Sequence, residues 1–168
     1  IRNHYVGRTF IEPTQSIRSF GVKLKLNATQ TLVKDKSIIL VDDSLVRGTT
    51  SHKIVKMLYD AGAKEVHVRI ACPEILYPDF YGVDMPTKKE LLANEKTIEE
   101  MCLHIRAKTL KFLTLDGLYK ALGKGERNNA YPQFSDHYFT GDYPIKPEDS
   151  LNELKVTQLS LLSSKSNN

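Results

Sequence analysis

Tryptophan is absent from the 168 residues, and cysteine nearly so, at two. Cys72 and Cys102, with no C-x-x-C and no H-x-x-x-H nearby, make neither a zinc site nor a secreted disulfide framework. Both are expected to be reduced, buried small hydrophobes in a cytosolic protein. No apolar run approaches the roughly 20 residues that a membrane-spanning helix needs, and no basic stretch precedes an apolar signal segment. An initiator methionine is also missing, since Ile1 leads straight into a polar and aromatic stretch; a piece cut from a longer chain is expected. The phosphate-binding pattern G-x-x-x-x-G-K-[ST] does not occur, nor does an internal repeat.

What is present fits one soluble globular domain: 40% hydrophobic and 26% charged residues, with 24 Lys and Arg against 20 Asp and Glu. A chain near 150 residues buries roughly two-thirds of the surface its unfolded form exposes, enough to stand without disulfides. The net charge of +4 is unevenly placed. Arg2, Arg8, Arg18, Lys23 and Lys25 face a single acid, Glu12, at the chain's start, so this end is suited to an anion. Val22, Leu24 and Leu26 alternate with Lys23 and Lys25 and predict a strand.

The clearest pattern runs from Lys36 to Ala71. Ser37-Ile38-Ile39-Leu40-Val41 is a continuous apolar run that stops at Asp42-Asp43, as in a strand buried on both faces. Gly48 opens a segment with Ile54, Val55, Leu58 and Ala61 at helical spacing; Thr49, Thr50 and Ser51 are candidate caps, and Gly62 stands just past the end. A second strand is expected over Glu65 to Ala71. Strand, helix, strand in so short a stretch predicts a βαβ unit, a parallel sheet and a right-handed crossover. Pro73 to Pro86 predicts an ordered loop. Thr87 with Glu90 and Thr97 with Glu100 fit capping boxes, the second before a helix burying Ile98, Met101, Cys102 and Ile105. A last strand is expected around Leu110 to Leu113, then a short helix over Leu115 to Leu122 closed by Gly123. Beyond Lys124 apolar density falls, and a disordered tail is expected from about Ser163.

Ligands of open α/β sheets bind beyond the carboxyl ends of the strands. Here that place holds Asp42-Asp43-Ser44-Leu45-Val46-Arg47-Gly48-Thr49-Thr50. Two unit charges brought to 4 Å at an effective dielectric near 20 repel by about 4 kcal/mol, so paired carboxylates call for a cation or several hydroxyl donors. Mg²⁺ or a sugar diol would serve. Gly48 permits a close backbone approach, after which the free N–H groups of residues 48 to 51 converge at a helix start as an anion cradle. The helix dipole adds only about 0.3 to 1 kcal/mol, so the N–H and hydroxyl bonds must supply most of the affinity. A diol clamp beside a phosphate cradle describes a ribose 5-phosphate.

The run Ile39 to Thr50 resembles the PRPP-binding signature of the type I phosphoribosyltransferases. His4-Tyr5-Val6-Gly7-Arg8-Thr9-Phe10-Ile11, with Pro13 and Gln15, and Tyr81-Gly82-Val83-Asp84-Met85-Pro86-Thr87 are similar to the glutamine amidophosphoribosyltransferase family, to about Pro144. The resemblance implies a partial parallel-sheet α/β fold over 1–123, with a flexible loop at 1–20 and the βαβ site at 36–71, followed by a C-terminal helical extension over 124–168. It implies that Asp42 and Asp43 engage the ribose hydroxyls and Mg²⁺, and that Ser44, Leu45, Val46, Arg47, Gly48, Thr49 and Thr50 wrap the 5-phosphate. Tyr5 and Arg8 would close the loop over the substrate. The implied reaction is attack of ammonia on C1 of PRPP with loss of pyrophosphate, giving 5-phosphoribosylamine, the first committed step of purine synthesis. Further implications are glutamine as ammonia source, purine nucleotides as feedback inhibitors, a cytoplasmic homo-oligomer, and no nucleic acid or membrane partner.

Two departures from that family stand out. Some members hold a [4Fe–4S] centre on cysteines, where this chain has Asp79, Ser135 and Tyr138; thiolates are the usual ligands, so no cluster is expected. The nucleophilic cysteine of the glutaminase half and the pyrophosphate-binding loop lie upstream of the segment matching Ile1. The chain therefore resembles the last third of such an enzyme and is expected to be inactive alone, with apolar sheet edges exposed. Two alternatives compete: a PRPP-sensing regulator of the same fold without catalysis, and a nucleic-acid binder suggested only by the basic balance. The histidines, His67 and His104 among them, show no spacing of a triad or metal set.

Overall fold

The computed structural model describes residues 28–83 and 87–145. The expected strand at 22–26, the basic start with Tyr5 and Arg8, and the tail beyond 145 lie outside them. A short helix, α1 (Gln30–Val33), leads into β1 (Ser37–Asp42), α2 (Thr49–Asp60) and β2 (Glu65–Ile70). After a loop come a single 3₁₀ turn (Lys88–Glu90), α3 (Leu92–Glu95), α4 (Ile98–His104), β3 (Thr109–Phe112), α5 (Leu115–Ala121) and α6 (His137–Thr140).

The three strands form one parallel sheet in the order β1-β2-β3. Ser37 pairs with Glu65 and Asp42 with Ile70, so the ends of β1 and β2 are flush and the chain leaves both at the same edge. Two turns set this register. Asp35, at φ 60, donates its N–H to Gly62 O (2.8 Å), and Lys64 N–H reaches Lys36 O (2.8 Å). Gly62 at φ 93 ends α2 as its sequence position predicts.

One face of the sheet carries Val66, Val68, Ile70 and Leu110, packed against Val55 and Leu58 of α2, Leu92, Met101 of α4 and Ile105. The capping box of α4 forms as expected: Glu100 N–H donates to Thr97 Oγ1 (3.2 Å), and Thr97 N–H to Glu100 Oε2 (2.8 Å). Cys72 and Cys102 are free thiols, half-buried rather than fully so.

The opposite face corrects the reading of β1. Its continuous apolar run predicts burial on both sides, yet Ile39 is 66% and Val41 68% exposed. Every described helix in the core packs on the other face, so nothing described covers these two. They share their face with His67, Arg69 and Thr109, linked by His67 Nδ1 to Thr109 Oγ1 (2.9 Å) and by Arg69 Nη1–H donating to Thr109 Oγ1 (3.0 Å). Among the described residues no helix is long and apolar enough to cross a membrane.

Candidate functional site

The flush ends of β1 and β2 place Asp42, Asp43 and the turn to Gly48 at the carboxyl edge of the sheet. Asp42 is held there by the ladder, its carbonyl accepting Ala71 N–H (2.9 Å). Its own Oδ1 accepts the Asp43 N–H (3.1 Å), and Asp43 Oδ1 takes the Ser44 hydroxyl (2.8 Å). Neither bond neutralises a charge. Burial pushes the Asp42 carboxyl above its ordinary range; the Asp43 N–H opposes this and the Asp43 charge adds to it. Two adjacent acids, one partly desolvated, are suited to a cation or to hydroxyl donors.

Leu45 turns inward, 3% exposed, and anchors the loop in the core. Gly48 then adopts φ 75, ψ −10 directly before α2, and no side chain caps the helix start. This differs from the expected Thr or Ser cap. The left-handed glycine does the turning, and the N–H groups of the first helical turn are left for another acceptor. Thr49 and Thr50 are exposed at this end while Ser51 is buried. Space is restricted too: a Cβ on Gly48 would lie 2.9 Å from Leu92 Cδ2 and 3.1 Å from the His104 ring.

The turn is braced from behind by residues that sequence reasoning did not single out for this purpose. Leu92 N–H donates to Val46 O (2.9 Å). Arg47 Nη2 reaches Glu90 Oε1 at 3.2 Å, while Glu90 Oε2 accepts the N–H and the hydroxyl of Thr87. The Thr87–Glu90 pairing was legible, but not the 43-residue reach of Glu90 to the loop. Cys72 also borders the acids. Burial, with the charges of Asp43 and Asp42, pushes its thiol up to about 11, so at neutral pH it is neither a thiolate nucleophile nor a ready ligand.

A second polar cluster joins the loop after β2 to the segment around α6. Asp79 Oδ1 accepts His137 Nε2–H (2.9 Å) and the Tyr138 hydroxyl (3.0 Å); Oδ2 accepts the N–H groups of Tyr81 (2.9 Å) and Val83 (2.8 Å). The other ring nitrogen of His137, Nδ1, is hydrogen-bonded with the Ser135 hydroxyl at 3.0 Å. Asp79 thus meets the sequence-distant Ser135 and Tyr138 at one place, where Asp79 and Ser135 bond to His137 and Tyr138 bonds to Asp79. Among the described residues no group of three or more His, Cys, Asp or Glu is arranged to hold a metal. No spacing signalled His137, because its carboxylate partner lies 58 residues away.

Burial would raise the Asp79 carboxyl, but the N–H groups of Val83 and Tyr81, with His137 and Tyr138, bring it down to about 2. A carboxyl whose folded value is depressed stabilises the fold above its ordinary titration range and loses that effect as pH falls through the folded value. The expected outcome is a stability gap between the native protein and Asp79→Asn that is full at about pH 5 and above and closes between about pH 4 and 2. Denaturant midpoints measured across that range check it.

A third cluster holds the same segment to α5. Arg127 Nε–H donates to Asp136 Oδ2 (2.6 Å) and its Nη2 to Asp136 Oδ1 (3.1 Å) and Asp142 Oδ2 (2.7 Å). Asp136 also accepts the hydroxyls of Tyr119 (2.7 Å) and Thr140 (3.1 Å). Burial pushes the Asp136 carboxyl up, yet these donors leave it below the usual carboxylate range.

No family model matches the chain. It is 57% identical to the amidophosphoribosyltransferase of Rhizobium etli, over 98% of the chain and 33% of that protein. Against amidophosphoribosyltransferase 1, chloroplastic, of Arabidopsis thaliana it is 52% identical, over 89% of the chain and 25% of the relative. A structure of the glutamine PRPP amidotransferase of B. subtilis complexed with ADP and GMP superimposes with a TM-score of 0.72 at 47% identity, covering 87% of this chain and 32% of that one. The chain spans about a third of the length of the Rhizobium relative. Over nearly its whole length it is a homologue of the amidophosphoribosyltransferases, matching a part of them with the same α/β fold.

Proposed function

We propose that this chain is the PRPP-binding part of an amidophosphoribosyltransferase of purine biosynthesis, acting in the cytoplasm. Ammonia derived from glutamine displaces pyrophosphate from C1 of PRPP, and 5-phosphoribosylamine is the product. One observation carries this reading: an acidic pair at the carboxyl end of β1 runs into a left-handed Gly48 at an uncapped helix start.

In this reading the N–H groups opening α2, with the hydroxyls of Ser44, Thr49 and Thr50, hold the 5-phosphate. Leu45 and Val46 shape the turn, one anchored in the core and the other tied through its carbonyl to Leu92. Asp42 and Asp43 accept the ribose hydroxyls, which fixes C1 relative to the phosphate. The two adjacent carboxylates also fit Mg²⁺, an ion usually held by one or two carboxylates together with substrate phosphates. When bound it would offset charge on the departing pyrophosphate. Asp79, Ser135 and Tyr138 present oxygen donors already bound to neighbours, which do not fit an iron–sulfur cluster. Tyr5 and Arg8 close over the substrate and exclude water; this role rests on the family resemblance alone. Purine nucleotides regulate the whole enzyme, a proposal supported by the ADP and GMP bound to the B. subtilis relative. The chain divides at about residue 123, and the whole enzyme is a homo-oligomer with neither a nucleic-acid nor a membrane partner.

The test is an ammonia-dependent assay of the full-length protein with PRPP and Mg²⁺, trapping the phosphoribosylamine. Gly48→Ala is expected to raise KM for PRPP about tenfold, because a left-handed alanine costs roughly 1 to 2 kcal/mol and a factor of ten is about 1.4. An unchanged KM would mean that the turn does not hold the phosphate.

A further inference from the structure

We propose that Asp79, His137 and Tyr138 form a latch whose closure, relayed through Asn94, positions the anion-binding turn Asp43–Gly48. Asp79, His137 and Asn94 are then positioning residues for the reaction, although none of them is placed to touch the substrate. The inference rests on the reading of that turn given above.

The latch is built around one acceptor. The Asp79 and His137 side chains are 1% and 3% exposed, and the carboxylate receives four donors, two side-chain and two backbone. Only a group with acceptors on both oxygens satisfies all four. Since a carboxylate cannot donate, His137 Nε2 carries the hydrogen, and in the neutral ring Nδ1 accepts from Ser135. Aromatic rings enclose the imidazole: Tyr81 edge-on at 5.2 Å, Tyr138 at 4.1 Å and Tyr143 at 4.9 Å between centroids. Tyr138 O accepts the N–H groups of Leu76 (2.9 Å) and Tyr77 (3.1 Å), and the Tyr143 hydroxyl donates to Pro78 O (2.8 Å). The α6 segment thus grips the loop from Leu76 to Val83 along its length. Gly141, at φ 73, passes so close to Tyr77 that a Cβ there would lie 2.8 Å from the ring.

From the gripped loop one side chain leads to the site. Asn94 Nδ2 donates to Leu76 O (2.8 Å) and to Lys88 O (3.2 Å), joining the loop to the stretch that carries Glu90 and Leu92. That stretch supports the turn at three points: Leu92 N–H on Val46 O, Glu90 on Arg47, and the Leu92 side chain filling the space beside Gly48. Leu91 and Leu92 are buried, so the stretch sits firmly against the core. Releasing Asp79 frees Leu76, and with it one end of the Asn94 bridge.

Hydrogen exchange and steady-state kinetics on the full-length protein test this together. In Asp79→Asn the amide N–H₂ faces donors, and amides of residues 76–83, 137–141 and 44–50 are expected to exchange at least tenfold faster. KM for PRPP is expected to rise about fivefold or more with kcat changed less than twofold, a split that a general loss of folded protein does not produce. Asn94→Ala, milder for the fold, should reproduce the changes at 44–50 and in KM while 137–141 stay protected. If exchange at 44–50 and KM are unchanged in both variants, the latch does not position the turn and the inference is overturned. If the unmodified enzyme fails to turn over PRPP, the proposed function fails, and exchange at 44–50 still decides the latch.

Discussion

Replacing Asp42 and Asp43 together by asparagine abolishes ammonia-dependent transfer in the full-length protein while leaving it folded. Each carboxylate lost removes a hydrogen bond to a substrate hydroxyl of the charged kind, worth about 1.5 to 3 kcal/mol. The pair is therefore worth about 3 to 6 kcal/mol, and kcat/KM is expected to fall about a thousandfold, with the Mg²⁺ response lost as well. The fold tolerates the change for a reason visible at the site. Burial already holds the Asp42 carboxyl above its ordinary range, so the folded state disfavours its charge, and a neutral isostere relieves that cost. Asp43 is exposed, its bonded oxygen serving only Ser44. An unchanged circular dichroism spectrum beside lost turnover is the expected pattern; retained turnover would remove the acid pair from the mechanism.

The second large effect is structural and belongs to Asp136. Its side chain is 3% exposed and accepts from Arg127, Tyr119 and Thr140. Asp136→Ala leaves the Arg127 guanidinium, itself 11% exposed, with the half-exposed Asp142 as its acidic partner, beside the neutral Asn129 Oδ1 (2.8 Å). Removing one member of a buried pair typically costs 3 to 5 kcal/mol, because the remaining charge is desolvated without compensation. Amides around α6 are accordingly expected to exchange over a hundredfold faster in Asp136→Ala, about 3 kcal/mol of local stability. By contrast Lys56→Ala, which breaks an exposed pair with Asp60, should change little. Similar protection in both variants would show that the buried cluster does not hold the segment.

How much of this could be read from the sequence follows from how far apart the interacting residues lie. The β1-α2-β2 unit was legible because an apolar run, a helical spacing and Gly62 follow one another without interruption. The candidate site was legible for the same reason, its nine residues from Asp42 to Thr50 being contiguous. Gly48, rather than a hydroxyl residue, ends up at the start of α2, since its φ of 75 makes the turn that Thr or Ser would resist. The double burial expected of β1 did not follow from its residues alone. A continuous run shows that both faces are apolar, whereas what covers Ile39 and Val41 depends on elements elsewhere. The braces and clusters were illegible because the bonds that tie their parts together span long stretches of chain: Arg47 to Glu90, Asp79 to His137, Asn94 to Leu76. The local contacts beside them, such as Asp79 with the Tyr81 and Val83 N–H groups, Ser135 with His137 and Thr140 with Asp136, join polar residues of kinds that are common in loops.

Binding of the phosphoribosyl group at the stretch from Asp43 to Thr50 is open to direct measurement. Hydrogen exchange of the full-length protein with and without PRPP and Mg²⁺ reads this residue by residue. Protection of the amides at 44–51 is expected on adding both, and it should disappear in the Asp42→Asn, Asp43→Asn double variant. PRPP turnover with no protection at 44–51 would contradict the account, since the substrate would then be held somewhere else.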